Sequence, residues 1–361
     1  MSFAILGLGT AVPDSVVSQA DALIAARRMG GDALRDSPWL ANVYAHSGID
    51  TRHQAIGQAA VRDLVQGTHD SGSPFVRNGD AWRAPGTATR MQMYAESAPP
   101  LAVTAARVAL AEADVSPASI THLVTVSCTG FVAPGVDVAV IRGLNLGATV
   151  LRTHVGFMGC HGAINGLRVA QAFADADPRA VVLLVAVELC SLHYHFGTEP
   201  ETCVANALFA DGAAAVVGRA SESPWRATAS GSCLIPDSDA AMSWSVGDEG
   251  FAMTLSRQIP RLIGKHLRPW LTAWLAERGH TLASVGSWAI HPGGPRILDA
   301  VEESLEIGRA SASREVFAAY GNMSSPTVLF IVDRLRRRDA PRPCVALGFG
   351  PGLVAEAVLF E

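Results

Sequence analysis

Three residues in this chain have the types and spacing to do covalent chemistry: Cys160 in "GFMGCHGAINGLRVAQAF", His291 in "WAIHPGGP" and Asn322 in "YGNMSSP". A cysteine attacks as its thiolate, and a helix N-terminus or a neighbouring imidazolium lowers the thiol pKa. The small residues after Cys160 let backbone amides and a substrate approach closely. Pro292 and two glycines stop a strand and leave His291 at its exposed end. A histidine N–H beside the side-chain amide of Asn322 makes a donor pair for an enolate or a tetrahedral oxyanion. Each residue also has a plainer reading. Cys160 can be a buried structural thiol, His291 a hydrogen-bonded strand end, and Asn322 a turn residue or helix N-cap. Taken one at a time, both readings stay open.

The elements that must position these residues come as a repeat. Apolar strand-like runs alternate with helical stretches, which predicts an α/β fold with buried strands. The second half replays the first in order. "ASITHLVTVSC" resembles "LASVGSWAIH", "GCHGAINGLRVAQAF" resembles "GNMSSPTVLFIVDRL", "AVVLLVAVE" resembles "CVALGFGPG", and "GAAAVVG" resembles "LVAEAVLF". Cys128 to Cys160 spans 32 residues and His291 to Asn322 spans 31. Agreement in order and spacing points to internal duplication. Pseudo-symmetry then puts Cys160 and Asn322 at equivalent helix starts, and His291 after a strand equivalent to the one before Cys128. The three converge on one candidate pocket between the halves. The expected division is 1–220 and 221–361, with helix and loop additions around 29–98 in the first half.

Composition excludes several classes. At 361 residues and 49% hydrophobic, the chain can bury a large core. Only 17% of residues are charged and the net charge is −5, so nothing points to nucleic acid or a membrane surface. No run approaches a membrane span. The six cysteines are dispersed without a CxxC pair, which reads as reduced thiols in a cytoplasmic protein rather than a disulfide frame or zinc site. "GLGTAVP" lacks the last glycine of GxGxxG and reads as close packing rather than a nucleotide loop. "RLRRR" (Arg334 to Arg338) reads as the solvated end of a helix.

"GCHGAINGLRVA", "LFADGAAAVVG", "IHPGGPRILDAVEESL", "SREVFAAYGNMSSPTVLFIVD" and "GFGPGLVAEAVLF" resemble, in order, the motifs of the type III polyketide synthases, the chalcone synthase superfamily. The match is densest from Val124 onward. Degradative thiolases carry a second cysteine where this chain has "GFGPG". The resemblance implies a thiolase-like five-layered αβαβα fold, a homodimer, and no cofactor. It also implies decarboxylative Claisen condensation of malonyl-CoA onto an acyl-CoA starter. Carried over by motif, Cys160 holds the starter, His291 pairs with it, and His291 with Asn322 binds the malonyl thioester carbonyl. Phe209 in "ALFADG" matches the gatekeeping phenylalanine.

Departures from the plant pattern mark the pocket. Met253 stands where plant enzymes have a second phenylalanine. Cys128, His193 and Trp244 occupy positions that are small or hydroxylic there, and Ser324 is retained. Ala133 replaces a methionine that reaches into the partner's cavity. "MSWSVGDEGFAMTLS" and "SCTGFVAPG" look more like bacterial members, several of which make alkylpyrones or alkylresorcinols. Basic residues at the CoA mouth are not matched, which leaves Arg52 and Arg296 as candidates for phosphate contact. Two other readings share the nucleophile: a ketoacyl synthase working with acyl carrier protein, and a papain-like Cys-His-Asn hydrolase.

Overall fold

In a computed structural model, residues 2–79 and 83–361 are described. The first half opens with strand β1 (Phe3–Ala11) and a short hairpin of β2 (Val16–Ser18) with β3 (Thr51–His53). Between and after these strands lie α1 (Gln19–Met29), α2 (Pro38–Ala45) and α3 (Gln58–Gln66). The long α4 (Thr87–Ala113) leads to β4 (His122–Ser127), α5 (Val136–Leu144) and β5 (Leu151–Gly156). Then come α6 (Gly162–Ala176), β6 (Val181–Leu189), α7 (Pro200–Leu208) and β7 (Asp211–Ala220). The second half begins at β8 (Arg226–Leu234), followed by the β9 (Met242–Gly247) and β10 (Gly250–Leu255) hairpin. It continues through α8 (Ile259–Ala276), β11 (Ser287–Ile290), α9 (Pro295–Leu305) and α10 (Ser311–Tyr320). It closes with α11 (Pro326–Arg337), β12 (Cys344–Gly350) and β13 (Val354–Phe360).

Nine strands form one sheet in the order β11-β12-β13-β8-β1-β7-β6-β4-β5. The duplication is visible in the pairing. β1 lies antiparallel to β7, β7 antiparallel to β6, and β6 parallel to β4. In the second half β8 lies antiparallel to β13, β13 antiparallel to β12, and β12 parallel to β11. The halves meet where β1 pairs with β8 at Phe3↔Ala227 and Ala4↔Arg226. One expectation of symmetry fails: β5 has no partner strand in the second half, where the helix α10 occupies the corresponding stretch of chain.

Strands buried on both faces read as continuous apolar runs, because each face meets a helix layer. On β12, Val345 and Leu347 pack toward α8 and α9, while Cys344 and Ala346 pack toward α6 and α11. The outer face of the first half is covered by α4 and α5. The layers are therefore helices, sheet, the central pair α6 and α11, sheet, helices. This is the thiolase-like αβαβα arrangement.

"GLGTAVP" is explained by packing. A Cβ at Gly7 or Gly9 would overlap the carbonyl oxygens of Ala109 and Ala105, so α4 lies directly on β1 only because both are glycine. α4 itself runs through Pro99 and Pro100 and is 27 residues long, so the additions expected to end near 98 merge into a helix of the core. The arginines of "RLRRR" sit at the end of α11 and pair with Glu112, Glu315 and Asp333. No helix among the described residues is long and apolar enough to cross a membrane.

Candidate active site

The Cys160 turn and its counterpart are built alike. Gly159 (φ 71°) precedes Cys160 in a 3-10 turn ahead of α6, and Gly321 (φ 71°) precedes Asn322 ahead of α11. A left-handed φ of this kind favours glycine, which explains the "GC" and "GN" pairs at both helix starts. Cys160 and Asn322 are both buried. The Cys160 thiol interacts with the Ser324 hydroxyl and the Asn322 side chain.

Asn322 is held with its amide aimed. Its Oδ1 accepts from the Ser324 N–H at 2.8 Å, which leaves Nδ2 as the outward donor. Its backbone bridges to the residues flanking Phe209: Asn322 N–H donates to Leu208 O and Ala210 N–H donates to Asn322 O, both at 2.9 Å. Phe209 and Asn322 are thus locked side by side. His291 follows β11, its backbone N–H donating to Leu347 O at 2.8 Å. It interacts electrostatically with His161, the residue after Cys160. Both ring nitrogens of His291, and Nδ2 of Asn322, are buried without a hydrogen-bond partner among the described residues. Orphaned buried polar atoms are costly, and on residues of these types they leave room for a ligand to supply the missing partner.

Burial sets the protonation states. It pushes the Cys160 thiol up to about 11, against the lowering contacts from Ser324 and Asn322. It draws His291 down to about 3, with His161 adding to the effect. At neutral pH each group is therefore uncharged, Cys160 a thiol and His291 a neutral imidazole. Alkylation of Cys160 by iodoacetamide should then speed up by about tenfold per pH unit between about pH 6 and pH 9. A rate already level below neutrality would show a preformed thiolate instead.

A cavity of about 70 Å³ is lined by Cys190, Phe209, Met253, His193 and Trp244 among others. Cys160, Cys190 and Phe209 pack as one buried cluster with Met253 against it. His193 is pinned at both nitrogens: Nε2 donates to Thr129 O at 2.6 Å, and Nδ1 accepts from the Phe251 N–H at 3.0 Å. Burial draws its pKa down to about 3, so it stays neutral. Its ring stacks on Phe251 at 4.1 Å and meets Trp244 edge-on at 5.5 Å. Trp244 in turn donates to Cys128 O at 2.6 Å. On the other side of the site the Cys128 sulfur contacts the Ser324 hydroxyl at 3.5 Å.

Two neighbours escaped sequence reading. Cys190 shows only the weak signal of ending a strand parallel to the one before Cys128. Glu188 had a clearer one, a lone acid in the apolar run "VVLLVAVEL". Its fully buried carboxylate accepts from the N–H groups of Cys128 and Thr129 and from the Thr129 and Ser325 hydroxyls. It ties the end of β4 to the start of α11, across the two halves.

Arg52 requires correction. It is 1% exposed and cannot reach a phosphate outside. As the middle residue of the three-residue β3 it faces inward. Its Nη1 donates to Asn206 O at 2.7 Å, Phe209 O at 2.8 Å and the Tyr194 hydroxyl at 3.2 Å. The guanidinium thereby braces the backbone that carries Phe209. Arg296 is exposed in the first turn of α9, just after "HPGGP".

A thiolase fold with a buried Cys, His and Asn at the meeting of its two halves defines a class of acyl-transferring condensing enzymes. Residues 74–221 match the family description "Chalcone and stilbene synthases, N-terminal domain" and residues 227–361 the corresponding C-terminal domain. The chain belongs to the chalcone and stilbene synthase family, the type III polyketide synthases. It is 33% identical, over 98% of its length and 90% of the relative's, to "Alpha-pyrone synthesis polyketide synthase-like Pks18" of Mycobacterium tuberculosis. It is 32% identical, over 90% of its length and 84% of the relative's, to 1,3,6,8-tetrahydroxynaphthalene synthase of Streptomyces peucetius. The crystal structure of PKS-I from the brown alga Ectocarpus siliculosus superposes with a TM-score of 0.92 at 30% identity, covering all of this chain and 98% of that one.

Proposed function

We propose that this enzyme loads an acyl-CoA starter onto Cys160, extends it with malonyl-CoA, and closes the product to an alkylpyrone. The observation that carries the assignment of roles is the pair of buried, unpartnered groups on His291 and Asn322, with Asn322 in contact with the Cys160 thiol. His291 takes the thiol proton as sulfur attacks the starter thioester, and CoA leaves. Malonyl-CoA then binds with its thioester carbonyl toward His291 and Asn322. Loss of CO₂ moves the electron pair onto that oxygen, where the donors stabilise the enolate. The enolate carbon attacks the acyl group on Cys160, forming the new C–C bond and releasing the thiol. The apolar face of Phe209 disfavours the carboxylate and favours its loss.

The small cavity argues for short starters, since sites for larger ligands run to about 300–1,000 Å³. The deciding experiment offers purified enzyme malonyl-CoA and starters from acetyl to long-chain acyl-CoA, with products read by mass spectrometry. Short-chain alkylpyrones are expected. Intact protein that condenses none of them would sink the reading, and turnover only with acyl carrier protein would favour a ketoacyl synthase.

Three subsidiary readings go with it. The chain works in the cytoplasm, where its CoA thioesters are made. It forms a homodimer along β5, an edge strand beside which Phe131, Leu151, Phe157 and Met158 are exposed apolar groups. Arg296 contacts the CoA phosphates, whereas Arg52 is a brace. Arg296→Ala should raise the KM for malonyl-CoA and leave stability unchanged. Arg52→Gln should lower unfolding stability by about 3 kcal/mol, because buried carbonyls lose a charged donor. A stable Arg52→Gln with only a raised KM would restore its phosphate role.

A further inference from the structure

A ligand-sized hollow among the described residues lies away from Cys160, His291 and Asn322. It is a cavity of about 610 Å³ between the ends of α1 and α3 and the stretch 75–77. That volume falls within the range of small-molecule sites, about 300–1,000 Å³. Its wall carries Arg27, Arg28, Arg35 and Arg77 against Asp32 and Asp63. Both aspartates are engaged: Asp32 pairs with Arg35, and Asp63 accepts from the Ser71 N–H at 2.8 Å and from the Thr68 hydroxyl. The Arg27 Nε is buried without a partner among the described residues. The floor is apolar, with Leu64 and Val76 buried and Phe75 stacked against Phe196 at 6.4 Å.

Cations gather at helix C-termini for electrostatic reasons alone, and Arg27 and Arg28 end α1. That accounts for two of the four. Arg35 and Arg77 come from separate segments outside helices, and helix ends do not require an apolar hollow beneath them. The cavity is also walled off from the catalysis. Between it and Phe209 stand Arg52 and Tyr194, with Gln54 Nε2 donating to the Tyr194 hydroxyl at 2.6 Å.

We propose that this cavity is a second binding site, which takes an amphipathic organic phosphate: phosphate among the arginines, apolar or flat body on the phenylalanine floor. Guanidinium groups recognise phosphate oxygens bidentately, and several converging from different segments suit a dianion better than a single carboxylate. The phosphate can belong to a lipid-like chain or to a nucleotide such as the 3′-phosphoadenosine portion of CoA.

The test is calorimetric titration of the full-length protein with dodecyl phosphate, 3′-phosphoadenosine 5′-phosphate and inorganic phosphate, alongside the double variant Arg27→Ala, Arg35→Ala. At least one organic phosphate should bind, more tightly than inorganic phosphate, and weaken by about 10- to 100-fold in the variant. Dodecyl phosphate alone would identify a lipid-type ligand, and the nucleotide alone a CoA-type ligand. Unchanged condensation activity in the variant shows that it is folded. Absence of binding by both organic phosphates, or binding that survives the double substitution, overturns the proposal whatever the fate of the condensation reading.

Discussion

Asn322→Leu should lose malonyl-CoA decarboxylation by about 10²- to 10³-fold, the cost of removing one donor from an oxyanion site. Starter loading on Cys160, read as a mass increase of the intact protein, should survive. The proposed mechanism separates the two steps, because it gives Asn322 Nδ2 to the enolate and sulfur attack to Cys160 and His291. Leucine has similar bulk but strands the Ser324 N–H that Oδ1 now accepts, so some stability is lost as well. Asn322→Asp supplies the control. It keeps an acceptor for Ser324 and removes the amide donor, so it should decarboxylate no better than the leucine variant, while its buried carboxyl costs stability for a different reason. Cys160→Ala should show the reverse split, with no acyl-enzyme but residual decarboxylation. Full decarboxylation by Asn322→Leu would remove this residue from the donor pair.

The contact of Cys160 with Asn322 was legible because duplication leaves a linear trace. Two helix starts with the same left-handed glycine recur at matching distance from two strand ends, and any structure that superposes the halves brings them together. The alternation of strands and helices was readable for a similar reason, since strands covered on both faces have no polar positions to blur them. What the chain hid depends on contacts between distant segments. An arginine within a short strand can face water or the core, and the pairing of β3 with β2 goes with an inward-facing Arg52. α4 continues through Pro99 and Pro100, where local rules predict a break. Glu188 was visible as an acid in an apolar strand, but its role needs the N–H groups of β4 and the hydroxyl of Ser325 from the other half. His193 and Trp244 were identifiable as bulky pocket residues. That they form a rigid wall was not, because rigidity comes from the backbone carbonyls that they engage.

Trp244→Ala should shift the starter range upward by several methylenes. A methylene that does not fit an apolar pocket costs about 10- to 200-fold in kcat/KM, so starters rejected by the native enzyme should gain by at least one such factor. The wall does not yield on its own. Trp244 is tethered to the Cys128 carbonyl, sits edge-on to both His193 and Phe251, and backs onto a histidine pinned at both ring nitrogens. A larger starter would have to break one of those hydrogen bonds or unstack the rings. Alanine removes the indole without touching the two hydrogen bonds of His193, and the opened space adjoins Cys190, Phe209 and Met253. Trp244→Phe separates bulk from tether. It keeps an aromatic wall and frees the Cys128 carbonyl, at about 1 kcal/mol of stability, so its starter profile should stay near the native one. If the alanine variant and the native enzyme rank the same starters in the same order, chain length is set elsewhere, with Met253 and Cys190 the next walls to cut.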